Sequence, residues 1–188
     1  TWEHSFANYL GDNGNQYNGS SSTAFIDPAL AVTSNDTIYM LVDLYPYGIA
    51  LNGNVAAHPN TDTGFTDDGY LKLDYNSADT YDYYLKDGEI YQNGSTEPLN
   101  GYTVDEHFNY TDYWGNSTNL FFADSIFKVA RTGFLYLTKS TDKGATWSAP
   151  QLLNLKNGTE RVCLVGPGRG LVTKDDIDYY FMYGGSTD

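Results

Sequence analysis

The chain has 188 residues, which suffices for one domain with a hydrophobic core or for one domain that carries a smaller inserted one. Its 24 Asp and Glu outnumber its 10 Lys and Arg, and the formal net charge of −14 argues against a nucleic-acid partner because phosphates would be repelled. No apolar stretch approaches the ~18 residues of a transmembrane helix, so no membrane span is expected.

The composition is rich in aromatic residues and glycine, with 18 Tyr, 9 Phe and 19 Gly. This mixture favours strands and turns. No segment keeps apolar residues at helical spacing over about a dozen positions, so the sequence predicts an all-β fold class. The single Cys163 lies in the apolar run 162–165, where we expect a small buried hydrophobe rather than a metal ligand.

Residues 1–23 are rich in Gly, Asn and Ser and predict a surface loop. Residues 24–45 contain two apolar runs, AFIDPALAV and TIYMLVDLY, on either side of SND, which predicts a hairpin with largely buried strands. Because proline cannot donate to a ladder, Pro28 predicts that the first strand starts near a sheet edge.

Residues 46–123 become rich in Tyr, Asp and Asn and repeat strand and turn signals, which predicts a small antiparallel β unit. The run DTGFTDDG at 62–69 has the clustered oxygens that calcium prefers, but it lacks the spacing and the terminal Glu of an EF-hand loop. A solvated loop is therefore the preferred interpretation, with calcium as the alternative. His4, His58 and His107 share no ligand spacing, so no metal site is predicted.

From residue 124 the sequence predicts a strand, a tight turn and a strand, followed by a further strand pair. The turn matches the S-x-D-x-G-x-T-W pattern of an Asp-box at every defined position, through Ser140, Asp142, Gly144, Thr146 and Trp147. We expect the Asp carboxylate to accept backbone N–H bonds, the Gly to adopt a positive φ, and the Thr and Trp to fasten the hairpin to neighbouring strands. These roles are structural rather than catalytic.

Further segments accompany the Asp-box in a recognisable order. AFIDPALAV is followed by TIYMLVDLYP, then by the 46–123 region, and then by FLYLTKSTDKGATWSAPQLLN and VGPGRGL. In this order the chain resembles bacterial-type sialidases of glycoside hydrolase family 33 over nearly its whole length. The resemblance implies a partial six-bladed β-propeller of about two blades, in portions 1–45 and 124–188, with an inserted small antiparallel β domain at 46–123.

The family resemblance implies an exo-α-sialidase that uses a Tyr nucleophile with a Glu base, an Asp acid and three Arg that clamp the sugar carboxylate. In the family these groups lie outside the segment matched here. No catalytic residue is therefore assigned, and the chain alone is expected to be an inactive part of a longer parent. Arg131, Arg161 and Arg169 stand outside the family's motifs and are not assigned to the clamp, although Arg169 is the best placed of them to approach a ligand.

The resemblance also implies secondary substrate-binding positions. Asp27 matches a family Asp near the sugar 4-hydroxyl, with Ile26 lining the N-acyl pocket; alternatively, Asp27 bonds within its own turn. Tyr45 aligns with an aromatic of that pocket and Phe127 follows the insertion, although both are also typical core aromatics. Asp43 would orient Tyr45 or face the site, or else cap the next turn.

Two functions stay open at this point. The first is a sialidase that acts on sialylated glycans, and this chain would be one part of that longer parent protein. The parent would be secreted or at the cell surface and would require no cofactor. The second is a non-catalytic carbohydrate-binding β module, favoured for 46–123 by aromatics such as Trp114 that could stack on sugars. The sequence does not decide between a hydrolytic and a trans-sialidase outcome.

Overall fold

The structure is a computed structural model that describes residues 5, 7, 23–46, 61–75, 80–122, 124–160, 162–173, 179–180 and 183–186. The strands are β1 (Ala24–Val32), β2 (Ile38–Tyr45), β3 (Leu71–Tyr75), β4 (Tyr83–Lys86), β5 (Glu89–Gln92), β6 (Thr103–Val104), β7 (Asn109–Thr111), β8 (Ser117–Asn119), β9 (Phe127–Val129), β10 (Phe134–Ser140), β11 (Gln151–Leu153), β12 (Val162–Val165), β13 (Gly168–Arg169), β14 (Leu171–Val172), β15 (Tyr179–Tyr180) and β16 (Tyr183–Ser186). The predicted all-β class is confirmed, because the described residues contain strands and turns but no helix. Accordingly, no helix in these ranges has the length and apolarity to cross a membrane.

The largest sheet has five strands in the order β11-β10-β2-β1-β13. The predicted hairpin is confirmed, since β1 and β2 pair antiparallel from Ala24 opposite Tyr45 to Val32 opposite Ile38. The register shifts between Ile26 and Ala29, and this bulge contains Pro28. The bulge spares proline a ladder bond, and β13 pairs with β1 beyond it, at Ala29 and Leu30.

The predicted strand, turn and strand after residue 124 are also confirmed. β10 pairs antiparallel with β2 on one side and with β11 on the other. Of the later segments, β14 pairs with β15, which matches the further strand pair expected there, and β12 also pairs with β16.

The region between the hairpin and β10 forms two small antiparallel sheets, in the orders β5-β4-β3-β9 and β6-β7-β8. β9 follows residue 123 in sequence, yet it pairs with β3 through Leu73 opposite Val129. The domain limits 1–45, 46–123 and 124–188 stay predictions.

Apolar side chains pack on both faces of β2. Val42 and Leu44 belong to the larger core cluster, which also contains Leu73 and Phe127 from the small four-stranded sheet. Leu41 points to the opposite face and packs in a second cluster with residues of β10 and β12. A strand buried on both faces needs a nearly continuous apolar run, which is what the sequence TIYMLVDLY provides.

Candidate functional site

The strand register brings together four of the five substrate-binding residues predicted from the sequence. Ile26 lies directly opposite Asp43, and Ala24 lies opposite Tyr45, across the β1–β2 ladder. Asp27 follows Ile26 at the bulge, where it is exposed and has a φ of 56°. A short polar side chain tolerates this left-handed conformation better than a bulky one.

Asp43 is the buried member of this cluster, with 1% of its surface exposed. Its Oδ1 accepts a hydrogen bond from the backbone N–H of Val165 in β12 at 2.8 Å. Its Oδ2 is buried and has no hydrogen-bond partner among the described residues. Burial raises the pKa of Asp43 to about 7 against the lowering effect of the Val165 bond, and the charge of Asp27 adds to the rise.

Tyr45 lies next to these two carboxylates and is itself 5% exposed. Burial is the largest cause of the raised pKa of its phenol, followed by the charges of Asp43 and Asp27. The ring lies against Gly133, because a Cβ atom added there would come within 3.3 Å of the Tyr45 Cε1. Tyr45 is therefore a neutral, buried wall of the cluster at neutral pH.

Phe127, the fifth predicted residue, lies elsewhere. Only 1% of its surface is exposed, and it belongs to the larger core cluster. The rings of Tyr75, Tyr83, Tyr102 and Tyr110 surround it at centroid distances of 5.5, 5.6, 5.4 and 6.0 Å. A side chain enclosed in this way cannot contact a ligand, so the structure favours the alternative of a core aromatic.

The two arginines in the described part of the chain lie on different elements. Arg131 is exposed in the segment between β9 and β10, and Arg169 is exposed in β13, opposite Leu30. Arg161 lies outside the described residues. Arg169 is thus three positions along the strand pair from Asp27, and its assignment outside the clamp stays a prediction.

The 140–147 turn has the hydrogen bonds that its sequence predicts. Asp142 Oδ1 accepts from the Thr146 backbone N–H at 2.8 Å, and Oδ2 accepts from the Thr146 hydroxyl at 2.6 Å. These bonds, with one from Ser140, lower the pKa of Asp142 to about 2. Gly144 has a φ of 89°, and Trp147 Nε1 donates to Ser5 Oγ at 3.3 Å.

A buried lysine that the sequence did not indicate connects the segment before β3 to the segment before β10. Lys156 Nζ donates to the Asp62 carbonyl at 2.6 Å and to the Thr132 hydroxyl at 2.9 Å. The Asp62 carboxylate pairs with Lys72 at 3.0 Å. Asp62 is therefore held by two cations, whereas Asp67 and Asp68 are exposed on the following turn.

Metal-ligating side chains do not converge in the ranges that the structure describes, since these contain no group of three His, Cys, Asp or Glu placed to hold an ion. What the cluster of Ile26, Asp27, Asp43 and Tyr45 offers chemically is one exposed carboxylate beside an apolar and aromatic wall. Such a surface can accept hydrogen bonds from hydroxyl groups and can pack against a small apolar substituent.

No protein-family model matches the chain. In sequence it is 27% identical to sialidase B of Streptococcus pneumoniae serotype 4, with 82% of this chain and 26% of that protein aligned. It is 26% identical to the anhydrosialidase of Macrobdella decora, with 79% of this chain and 23% of that protein aligned. The chain thus spans about a quarter of the length of these curated relatives.

Solved structures show the same likeness in the fold. A leech intramolecular trans-sialidase superposes with a TM-score of 0.72 at 24% identity, covering 91% of this chain and 32% of the other. The intramolecular trans-sialidase of Ruminococcus gnavus also gives a TM-score of 0.72 at 24% identity, covering 95% of this chain and 45% of the other. In sequence and in its all-β fold, the chain is therefore a sialidase-like protein, matched to part of the sialidase β-propeller.

Proposed function

We propose that the chain is a portion of an exo-α-sialidase, which releases terminal α-linked sialic acid from sialylated glycans. The observation that carries this proposal is the alignment of 82% of the chain with a curated sialidase. Because the aligned part is 26% of that relative, the activity belongs to a longer parent protein rather than to these residues alone. The remainder of the parent is the obligatory partner in this proposal.

The relatives support sialosides as the substrate class. The leech enzyme is described as complexed with 2,7-anhydro-Neu5Ac after soaking with 3′-sialyllactose. The parent of this chain could release an intramolecular product of this kind or free sialic acid, and these two outcomes have to be distinguished. The cluster described above contains no group that selects between them, so product analysis decides the point.

Within the parent, we assign substrate contacts to Ile26 and Asp27. The exposed Asp27 carboxylate would accept a hydrogen bond from a sugar hydroxyl, and Ile26 would pack against the N-acyl methyl group. Asp43 and Tyr45 are too buried to contact the substrate directly, so they would pack beneath Ile26 and Asp27 and hold them in position. The nucleophile with its base, the general acid and the arginine clamp would come from the remainder of the parent.

The same proposal extends to location and cofactors. Sialylated glycans are displayed outside cells, so the parent would be secreted or attached to the cell surface. The chemistry of a Tyr nucleophile with carboxylic acid and base partners requires no metal or organic cofactor. A calcium ion bound at the 62–69 run would be structural.

A fluorogenic sialoside tests the proposal on the chain and on its parent. We expect negligible turnover by the chain and normal glycosidase turnover by the parent, with Asp27→Asn in the parent raising KM about tenfold or more. Asp36→Asn is the matched control, since Asp36 is also exposed at a positive φ, on the β1–β2 turn away from the cluster. Turnover by the isolated chain, or a parent without sialidase activity, would show the proposal to be wrong.

A further inference from the structure

Four turns within the described residues share one hydrogen-bonding pattern, at 33–37, 66–70, 105–109 and 112–116. In each, the backbone N–H of the first residue donates to the carbonyl of the fifth, and the N–H of the fourth donates to the carbonyl of the first. A side-chain oxygen of the first residue accepts from the N–H of the fifth. The fourth residue always has a positive φ.

The 105–109 and 112–116 turns are near duplicates. Each begins with Asp and ends with Asn, and the Asn Nδ2 donates to the Asp Oδ2 at 3.0 Å in the first turn and at 2.9 Å in the second. The backbone N–H of the third residue donates to the Asp Oδ1 in both. In these two turns, the first and fifth residues supply the side-chain hydrogen bonds and the fourth supplies the positive φ. The side chains of the second and third residues can therefore vary.

The residue types at the second and third positions differ sharply among the four turns. These positions hold Ser34 and Asn35, Asp67 and Asp68, Glu106 and His107, and Tyr113 and Trp114. Three turns thus carry polar residues at the tip, as expected for a solvated hairpin. The aromatic side chains of the fourth turn are not needed to form it, because the duplicate at 105–109 forms without them.

Tyr113 and Trp114 are also unusually accessible. They are 74% and 77% exposed, above the other large hydrophobic side chains in the described part of the chain. Their rings meet edge to face, with centroids 5.9 Å apart and planes at 88°. Tyr113 is anchored at its base, since a Cβ atom added at Gly101 would lie 3.0 Å from the Tyr113 Cβ. The two rings form a solvent-facing corner.

The charge around this corner restricts its ligand. The sequence has no Lys or Arg between Lys86 and Lys128, and the acidic residues in that interval are Asp87, Glu89, Glu97, Asp105, Glu106, Asp112 and Asp124. An anionic ligand would be repelled there. The Asp112 carboxylate accepts three hydrogen bonds within its own turn.

The surface area of the two aromatic side chains restricts the size of the ligand. Two aromatic side chains offer roughly 150–250 Å² each. A specific protein partner typically needs about 800 Å² on each side. One or two sugar rings, in contrast, fit the available area. A pyranose presents C–H groups on one face and hydroxyls at its edge, which complements a ring face flanked by the Tyr113 hydroxyl and the Trp114 N–H.

We propose that Tyr113 and Trp114 form a carbohydrate-binding corner for the neutral pyranose rings of a glycan. This site is separate from the cluster around Asp27 and takes the uncharged part of a sugar chain. Its position on a rigid turn limits the conformational entropy lost on binding. The proposal concerns binding alone and does not depend on the sialidase reaction.

The test uses an immobilised glycoprotein in three forms, which are sialylated, desialylated and stripped of its glycans. We expect the full chain to bind the desialylated form and not the stripped form. Tyr113→Glu combined with Trp114→His transplants the tip of the 105–109 turn, so the fold should persist, and we expect at least tenfold weaker binding. Glu106→Ala combined with His107→Ala is the matched control and should bind as the unmodified chain does.

Several outcomes would overturn the inference. These are unchanged binding by the transplanted tip, no binding to the desialylated form, and binding that survives removal of the glycans, which would indicate a protein partner. Binding that requires sialic acid would also overturn it and would point to the Asp27 cluster instead. Sialoside turnover by the parent should not change with the tip, so failure here is distinguishable from failure of the proposed function.

Discussion

The backbone N–H of Val165 and the Oδ1 atom of Asp43 form a buried hydrogen bond of 2.8 Å between residues 122 positions apart. The bond joins β12 to β2 at the strand end where Ile26, Asp27 and Tyr45 meet. A single buried carboxyl therefore links the candidate sugar-binding wall to the next pair of strands. Its protonation state should influence both.

Asp43→Asn should remove a pH dependence from the stability of the chain. The pKa of Asp43 is about 7 in the folded chain and 3.8 as an ordinary value, so the folded state holds the proton more tightly. The stabilisation is complete below about pH 4 and is lost as the pH rises through 7, amounting to about 4 kcal/mol. Denaturant unfolding between pH 4 and 8 measures this directly.

Asn resembles the protonated carboxyl, so the variant should match the unmodified chain near pH 4 and exceed its stability at pH 8. Asp27→Asn provides a second measure. It removes a charge that raises the pKa of Asp43 in the folded chain, so the fall in stability of that variant should be smaller and should end at a lower pH. An unchanged pH profile in Asp43→Asn would contradict the role assigned to the buried carboxyl.

Phe127→Ala should act on stability, and Asp27→Asn should act on sugar binding. Truncating a fully enclosed phenylalanine in an aromatic core lowers the free energy of unfolding by about 3–5 kcal/mol. Asp27 is exposed, and Asn tolerates its positive φ, so that substitution should change the free energy by less than about 1 kcal/mol. Calorimetric unfolding of both variants measures the two changes in stability and shows which substitution affects the fold. A stable Phe127→Ala variant with selectively weaker sialoside binding in the parent would restore Phe127 to the site.

The sequence was sufficient where structure depends on neighbouring residues. Two apolar runs around SND predict the β1–β2 hairpin, and the 140–147 pattern predicts a turn, because both are set by local turn chemistry. It was insufficient where partners are distant. Nothing local to Asp43 indicates Val165, and nothing near Lys156 indicates that its ammonium would be buried against Asp62 and Thr132.

Phe127 illustrates a different limit of sequence reasoning. Its sequence left both a ligand contact and a core position open, because an aromatic residue in a strand is compatible with either face of a sheet. The pairing of β9 with β3 decides the face, and that pairing joins residues more than 50 positions apart in sequence. The cluster around Asp27 was easier to foresee because β1 and β2 form one hairpin.

Asp142→Ala should weaken the hairpin between β10 and β11 in a pH-dependent way. The hydrogen bonds from Thr146 and Ser140 lower the pKa of Asp142 to about 2, so the ionised form is favoured in the folded chain. The stabilisation is present above about pH 4 and is lost as the pH falls through 2. At pH 7 we expect a melting temperature lower by roughly a few degrees.

Asp142→Asn is the matched variant for this turn, because its amide oxygen can still accept from the Thr146 N–H. It should retain part of the stability that Asp142→Ala loses. Trp147 fluorescence reports the same region, since its Nε1 bonds to Ser5. Equal melting temperatures for all three chains at pH 7 would show that the carboxylate does not stabilise the hairpin.

Gly64→Ala and Gly69→Ala should separate backbone strain from steric overlap. Both glycines have a φ of 83°, so alanine is strained to the same degree at either position. At Gly69 nothing lies within 4 Å of the added Cβ, whereas at Gly64 the Phe134 Cε1 lies only 2.5 Å away. Gly69→Ala should lower the free energy of unfolding by about 1 kcal/mol, from the left-handed conformation alone.

Gly64→Ala carries the same backbone strain and must also displace Phe134, which is 2% exposed and packs edge to face on Phe65. Overpacking of this kind costs a further 1–3 kcal/mol or so. Urea unfolding of the two variants gives the difference, because the strain common to both cancels. Equal free energies of unfolding for the two variants would contradict this prediction. Phe134 would then not be a rigid neighbour that holds the segment before β3 against β10. The contact between the small sheets and the five-stranded sheet would be looser than its packing indicates.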